Sequence, residues 1–367
     1  MSTTAIRYTP GPGPRLAFQV FGEGAIDVAV IPGFISHIEY AWQDPLLARF
    51  LRRLGTMARV IAFDKRGMGL SDRDPDEHPI TMSDRVDDLE KVLDAVGSQA
   101  PALLAWSEGG PLAVTFAARH PDRTSALALL GTTPRFAQSP DFPAGIPAEV
   151  LGVFVETMGA EWGTGVGYHL FAPSLAEDER TRAWWASYQR FAATPGAVVA
   201  TLRGQLDVDV RALLPAVAAP TLVVHRSRDM IVPVECGRYL ADHIAGATIA
   251  EQDSDDHLFW VGHQDATLDG VRELLGRTAD GTALRHRRPP RPRSGWESLT
   301  DTELDVVRLL ARGMTNAQIG ERLTVSPRTV QTHVTHVLAK LDLRRRAEVA
   351  AVLAGTADEP SRTGQRD

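Results

Sequence analysis

Ala105-Trp106-Ser107-Glu108-Gly109-Gly110 is the stretch from which the fold of this chain is read. It follows a short, continuous apolar run, 102–106, and opens a helical pattern over 109–119. A sharp strand-to-helix turn that exposes a side chain needs small residues two positions to either side, because the two backbones crowd there. This is the G-x-S-x-G pattern with Ala105 in place of the first glycine, and it makes Ser107 a candidate nucleophile. Gly-flanked serines also occur in ordinary turns, so order and placement elsewhere in the chain must support it.

Around this turn, strand-like runs alternate with helical patterns. Strands are predicted over 16–21, 28–31, 59–63, 102–106, 126–130, 221–225 and 247–250, and helices over 83–96, 109–119 and 234–244. The later strands are continuous apolar runs, as expected for parallel strands covered on both faces. Alternation of this kind predicts an α/β fold with a doubly wound, mostly parallel sheet. From about 134 to 219 the alternation stops and the pattern is mostly helical, with aromatic residues at 162, 168, 171, 184, 185, 188 and 191. An insertion there would cap the carboxyl edge of the sheet, where open α/β folds bind ligands.

Asp229 lies just past the strand ending at His225, and His257 just past the next strand. Serine, acid and histidine follow in that order, each after a late strand. His257 would take the proton from Ser107, and Asp229 would orient the imidazole and stabilise its cation. Backbone N–H groups of Phe34 and Glu108 are the expected oxyanion hole. Asp253, Asp255 and Asp256 read as a solvated acidic loop, since sequence neighbours cannot easily aim a carboxylate at the His257 ring. His263 reads as surface or capping. The run Asp64-Lys65-Arg66-Gly67-Met68-Gly69-Leu70-Ser71 lacks the lysine spacing of a phosphate-binding loop and reads as a structural turn. No metal-ligand spacing is present, and no cofactor is expected.

With elbow, acid and histidine in place, residues 12–275 resemble the α/β-hydrolase superfamily, and the 64–71 run resembles a turn those proteins carry after an early strand. A serine nucleophile resembles esterases, lactonases, carbon–carbon hydrolases and peroxidase-like members, and not the aspartate-bearing dehalogenases and epoxide hydrolases. Some members of the superfamily keep the pocket for ligand sensing and turn over little. Aromatic residues of the cap, with Phe34 and Trp106, suggest an apolar pocket above Ser107, with Trp184, Trp185 and Tyr188 as candidate walls. Its ligand would be mostly apolar, with an acyl or ketone carbonyl.

The stretch 276–296 is rich in Arg, Pro and Gly and reads as an extended linker. Beyond it, residues 297–355 read as four helices, 301–312, 316–323, 327–341 and 345–353. Thr300 with Glu303 and Thr315 with Gln318 form capping-box patterns. Ser326-Pro327 starts the third helix, and Gly313 suits a C-terminal cap of the first. The second and third helices form a helix-turn-helix. Val330, Val334, Val337 and Leu341 make the buried stripe of the third helix, and a small polar face near its start suits the major groove. This stretch resembles the LuxR-type DNA-binding domain over nearly all its length. It carries Leu299-Thr300-x-x-Glu303, Gly313-x-Thr315-Asn316-x-x-Ile319, Leu323-x-x-Ser326-x-x-Thr329-Val330-x-x-His333 and Lys340-Leu341, with Gly320 where alanine is usual. The resemblance implies that Gln331, Thr332 and Thr335 read bases. It makes Asn316, Arg328, Thr329, His333 and Lys340 candidates for the DNA backbone. Two copies on double-stranded DNA are expected, paired through the 345–353 helix. His336 reads equally well as a plain surface residue or as a DNA contact, and 356–367 reads as a polar tail.

Charge divides the chain at the same place. Residues 282–367 carry 15 Lys and Arg against 10 Asp and Glu, a net +5. The whole chain, 367 residues, is at −7, which leaves −12 on residues 1–281. Only the small basic part is suited to a polyanion. One cysteine, Cys236, excludes an internal disulfide. With no basic-then-apolar leader and no apolar run of membrane-spanning length, a cytoplasmic protein is expected. Two functions compete: a transcription factor whose hydrolase-like domain senses a small molecule, and a working hydrolase with an accessory DNA module.

Overall fold

The computed structural model describes residues 5–73, 80–278 and 294–355, which fall into two compact units. Most of the expected linker and all of the expected polar tail lie outside the described residues.

The larger unit is built on eight strands: β1 Arg7–Tyr8, β2 Ala17–Phe21, β3 Asp27–Ile31, β4 Arg59–Phe63, β5 Ala102–Trp106, β6 Ala126–Leu130, β7 Thr221–Arg226 and β8 Thr248–Gln252. They form one sheet in the order β1-β2-β4-β3-β5-β6-β7-β8. Pairings from β4 to β8 are parallel; β1 and β2 run antiparallel at one edge. The two-residue β1 has no hydrophobic pattern and was not foreseen; it pairs only with β2 through Arg7 and Tyr8. Strands β6 and β7 are buried throughout and β3 and β5 at all but one residue each, with Leu103, Ala105, Leu127, Leu129 and Val223 in one apolar core. Continuous apolar sequence thus becomes strands covered on both faces.

Helices cover the sheet: α1 Pro45–Gly55, α2 Met82–Ala95, α3 Gly109–Arg119, α8 Val234–His243 and α9 Gln264–Leu275. A Thr81/Asp84 capping box starts α2. Between β6 and β7 lie α4 Ala148–Ala160, α5 Tyr168–Phe171, α6 Glu179–Ala192 and α7 Pro195–Leu206. Asp178 caps α6, and Thr194 caps α7 ahead of Pro195. Helices α4 and α7 pack on each other. No helix among the described residues is long and apolar enough to cross a membrane.

The smaller unit holds α10 Asp301–Ala311, α11 Asn316–Leu323, α12 Pro327–Lys340 and α13 Arg346–Gly355. Both capping boxes read from the sequence form, and Ser326 caps α12 by accepting from the Thr329 N–H. Thr324 closes α11 in the left-handed region at φ 55°, which makes the turn into α12 tight. Val306, Val307, Ile319, Val330, Val337 and Val349 form the buried centre.

Candidate functional site

The strand-to-helix turn at the end of β5 puts Ser107 at φ 51°, a left-handed conformation that costs a non-glycine residue about 1–3 kcal/mol. The two glycines that follow, Gly109 and Gly110, let the chain pass close to its surroundings after the turn. A Cβ on Gly109 would meet the Pro32 carbonyl oxygen at 2.6 Å, and one on Gly110 would meet Thr132 Oγ1 at 2.0 Å. Thr132 also donates a hydrogen bond to the Ser107 carbonyl.

Three segments far apart in sequence meet at this turn. His257 Nε2 lies 2.9 Å from Ser107 Oγ, and His257 Nδ1 lies 2.8 Å from Asp229 Oδ2. Asp229 Oδ1 accepts from the Ile231 and Val232 N–H groups at 2.8 and 3.0 Å. Burial alone would push the Asp229 carboxyl up. The facing His257, His225 and the Val232 N–H outweigh it and hold the acid below its usual range. His225 is buried beside it, 3.9 Å from Asp229, and its Nε2–H donates to the Val232 carbonyl. Burial pushes the His225 pKa down, so the ring stays neutral. The Phe34 and Glu108 backbone N–H groups have no hydrogen-bond partner among the described residues.

The Glu108 side chain turns away from that corner into a buried ion cluster. It pairs with Lys65, lies 3.5 Å from Arg85 and accepts a hydrogen bond from Gln205 of α7. Burial lowers the Lys65 pKa to about 8, against the opposing pull of Glu108. Asp64 beside it is fully buried and pushed up to about 6, while accepting from the Leu70 and Ile38 N–H groups. The 64–71 run is a structural turn, but its Lys65 also anchors the elbow.

Above Ser107 opens a cavity of about 270 Å³, walled by Phe34, Val150, Phe154, Leu202 and Met230 among others. A dry cavity of roughly 150 Å³ admits benzene, so this one has room for a medium-length acyl chain. Aliphatic side chains of α4 and α7, among them Val150, Leu151, Val155, Leu202 and Leu206, supply one part of the wall, and loop residues such as Ile146, Met230 and Ile231 another. Of the seven cap aromatics expected to supply it, Phe171 alone does. Trp106, Trp185 and Tyr188 line a second, much smaller space of about 20 Å³ beside Ser107, together with Phe34. Trp184 lines neither; it stacks on Tyr188 at 4.9 Å and on Tyr40 at 6.3 Å. The aromatics mostly pack the insertion on itself. Phe171 also anchors the histidine loop, its carbonyl accepting from the His257 and Leu258 N–H groups.

The acidic loop before His257 divides. Asp253 and Asp255 are exposed and pair with Arg228. Asp256 is not solvated as expected: it is buried and accepts from the Ser174 N–H and Oγ at 3.0 and 2.8 Å. Among the described residues, no three His, Cys, Asp or Glu side chains converge as metal ligands.

In the smaller unit Arg328, Thr329, Gln331, Thr332 and Thr335 are exposed on the first turns of α12. Gln331 Oε1 accepts from Asn316 Nδ2 at 2.7 Å, so the two HTH helices share one polar contact. Thr332 and Thr335 donate back to the Arg328 and Gln331 carbonyls. Lys340, expected to face the DNA backbone, is instead folded inward, bonding Glu303 Oε2 at 2.6 Å and the Ser298 carbonyl at 3.0 Å. His333 is half-buried. On α13, Val349 is buried inside the unit, so it cannot belong to an outer pairing face, whereas Ala347 is exposed.

The alpha/beta hydrolase fold family matches residues 28–263, and the luxR family of bacterial regulatory proteins matches 297–353. The chain belongs to the α/β-hydrolase fold family. Its hydrolase domain is fused to a luxR-type DNA-binding domain. A pimeloyl-[acyl-carrier protein] methyl ester esterase of Neisseria meningitidis serogroup C is 30% identical over 193 residues, 51% of this chain and 75% of that protein. A Mycobacterium bovis protein, named by inference as an HTH-type transcriptional regulator, is 42% identical over 123 residues. That match covers 29% of this chain and only 13% of the M. bovis protein. Among solved structures, an esterase from Thermogutta terrifontis is 26% identical at a TM-score of 0.58, covering 75% of this chain and 98% of its own. The enol-lactonase from Burkholderia xenovorans, at 24% identity and TM-score 0.61, shares the fold, covering 74% of this chain and all of its own.

Sequence reasoning missed Lys65, Gln205, His225 and the aliphatic walls of α4 and α7. None carries a local signature, because each acquires its role from a partner remote in sequence.

Proposed function

We propose that this α/β-hydrolase-fold protein is a DNA-binding transcriptional regulator whose hydrolase domain takes up a mostly apolar carbonyl compound and thereby changes DNA affinity. One observation carries this: an apolar cavity of about 270 Å³ over a serine–histidine–aspartate array, in the same chain as a luxR-type reader. A stand-alone catabolic enzyme has no need of such a reader. In this reading Ser107, His257 and Asp229 are the catalytic residues, with Phe34 and Glu108 as oxyanion donors. Gln331, Thr332 and Thr335 meet bases, and Arg328, Thr329, Asn316 and His333 meet the DNA backbone. Residues 1–275, 276–296 and 297–355 are the working parts, two copies bind a pseudo-palindromic site, and the cytoplasm is the place of work.

The geometry of the array favours a second reading, a working ester hydrolase with an accessory DNA module. Ser107 and His257 are already within proton-transfer reach, and a relative is named for methyl-ester hydrolysis. Hydrolysis of 4-nitrophenyl hexanoate by the full chain, lost in Ser107→Ala, tests the chemistry. Binding to a DNA sequence enriched from a random pool, with and without methyl hexanoate, tests the regulation. DNA affinity indifferent to every ester bound in the cavity would leave only the second reading.

A further inference from the structure

The cavity over Ser107 is apolar except in one corner. Of the residues that line it, Ser107, Glu108 and Gln205 are the ones with polar side chains. Gln205 comes from α7 and is 5% exposed. Its amide orientation is set by chemistry: Nε2 faces the Glu108 carboxylate, which only accepts, so the amide must donate there. Glu108 in turn is held by Lys65 and Arg85. Gln205 Oε1 is left buried in the cavity wall with no hydrogen-bond partner among the described residues.

A buried, unpartnered acceptor costs free energy that a ligand donor would recover. The other side chain of the corner, Glu108, is also an acceptor. Its oxygens are already taken by Lys65, Arg85 and the Gln205 amide, so the lone pairs left open in the corner are those of Gln205 Oε1, and they ask for a proton donor. The last torsion of glutamine is soft, so the amide can adjust to a ligand donor.

We infer that Gln205 is a specificity-determining residue, and that the ligand carries a hydroxyl or N–H donor on its acyl chain near the carbonyl placed at Ser107. This deepens the proposed function and rests on its reading of the cavity. The compound class is then a hydroxy- or amino-substituted acyl derivative with an apolar remainder, not a plain fatty acyl ester.

The test is calorimetric binding to the full-length Ser107→Ala chain, which removes turnover. The probes are methyl hexanoate and its 2-hydroxy, 3-hydroxy, 2-fluoro and 3-fluoro derivatives. Fluorine approximates the size of a hydroxyl but donates nothing. One hydroxy ester should bind at least about tenfold tighter than its fluoro counterpart, as expected for one satisfied buried acceptor. In the Ser107→Ala/Gln205→Met chain that ratio should fall below about twofold. Equal binding of hydroxy and fluoro esters at both positions overturns the inference and leaves the cavity reading standing, as does a ratio that survives Gln205→Met. No binding of any ester overturns the cavity reading, and the inference with it. If Gln205→Met fails to fold, the hydroxy-to-fluoro ratio in the Gln205 chain decides alone.

Discussion

Ser107 Oγ and His257 Nε2 stand 2.9 Å apart although 150 residues of chain separate them. Their approach is enforced from both sides. The left-handed Ser107 presents its hydroxyl outward, while the Phe171 carbonyl pins the loop that carries His257. A fluorophosphonate probe should therefore label the full chain at Ser107, and His257→Ala should abolish the labelling, because the serine loses its base. Undiminished labelling of His257→Ala, read by mass spectrometry, would remove the histidine from that role.

Asp229 holds the imidazole through a 2.8 Å bond and is itself tied by two backbone N–H groups. Asp229→Asn keeps the shape but favours the wrong tautomer, so esterase turnover should drop by about 10³–10⁴-fold. The circular dichroism spectrum should stay unchanged. A loss under tenfold would mean that the acid does not orient the base.

Burial depresses the pKa of His225, so the unfolded chain binds its proton more readily than the folded one does. The stability gained by keeping the ring neutral is full above the unfolded pKa of about 6.5 and is lost as pH falls below it. One such site contributes at most about 1.4 kcal/mol per pH unit. Asp64, raised to about 6, works in the opposite sense below that pH, because its folded form takes up the proton first. The His225 effect is therefore read as a difference. Between pH 7 and 5 the wild-type chain should lose more denaturant stability than His225→Gln does. Parallel pH curves for the two would refute it.

The Lys65–Glu108 pair is almost wholly buried, with side chains 4% and 5% exposed. Breaking such a pair strands a buried charge, at a cost of roughly 3–5 kcal/mol. Glu108→Ala should accordingly lower the unfolding midpoint sharply. The Lys65→Met/Glu108→Met double variant should be less destabilised than the two single costs summed. Strict additivity in urea melts would show that the two charges do not depend on each other.

On the DNA side, Gln331→Ala should relax base preference at one position by about 1–3 kcal/mol. Arg328→Ala should weaken all sequences alike and reduce the salt slope by about one. Lys340 is expected to behave differently from a phosphate contact, because two of its three ammonium donors are held by Glu303 and the Ser298 carbonyl. Lys340→Met should lower the melting temperature of the luxR-type domain more than it flattens the salt dependence. The opposite ranking, from titrations at several salt concentrations, would return Lys340 to the DNA surface.

Local chemistry was enough to read the strand runs, the elbow, the order of serine, acid and histidine, and the capped helices of the DNA-binding domain. Those signals are short-range: crowding at a turn permits only small residues, a cap needs its partner three positions on, and a doubly covered strand must be apolar throughout. Tertiary structure alone decided which side chains wall the cavity, because cap aromatics and cap aliphatics are equally apolar in sequence and differ only in where their helices aim them. It alone buried Asp256 against Ser174 and folded Lys340 onto Glu303, since a charged residue reads as solvated until its partner is known. The same holds for Gln205. Nothing in its neighbourhood of chain marks it, and it matters only because α7 carries its amide to a carboxylate 97 residues away.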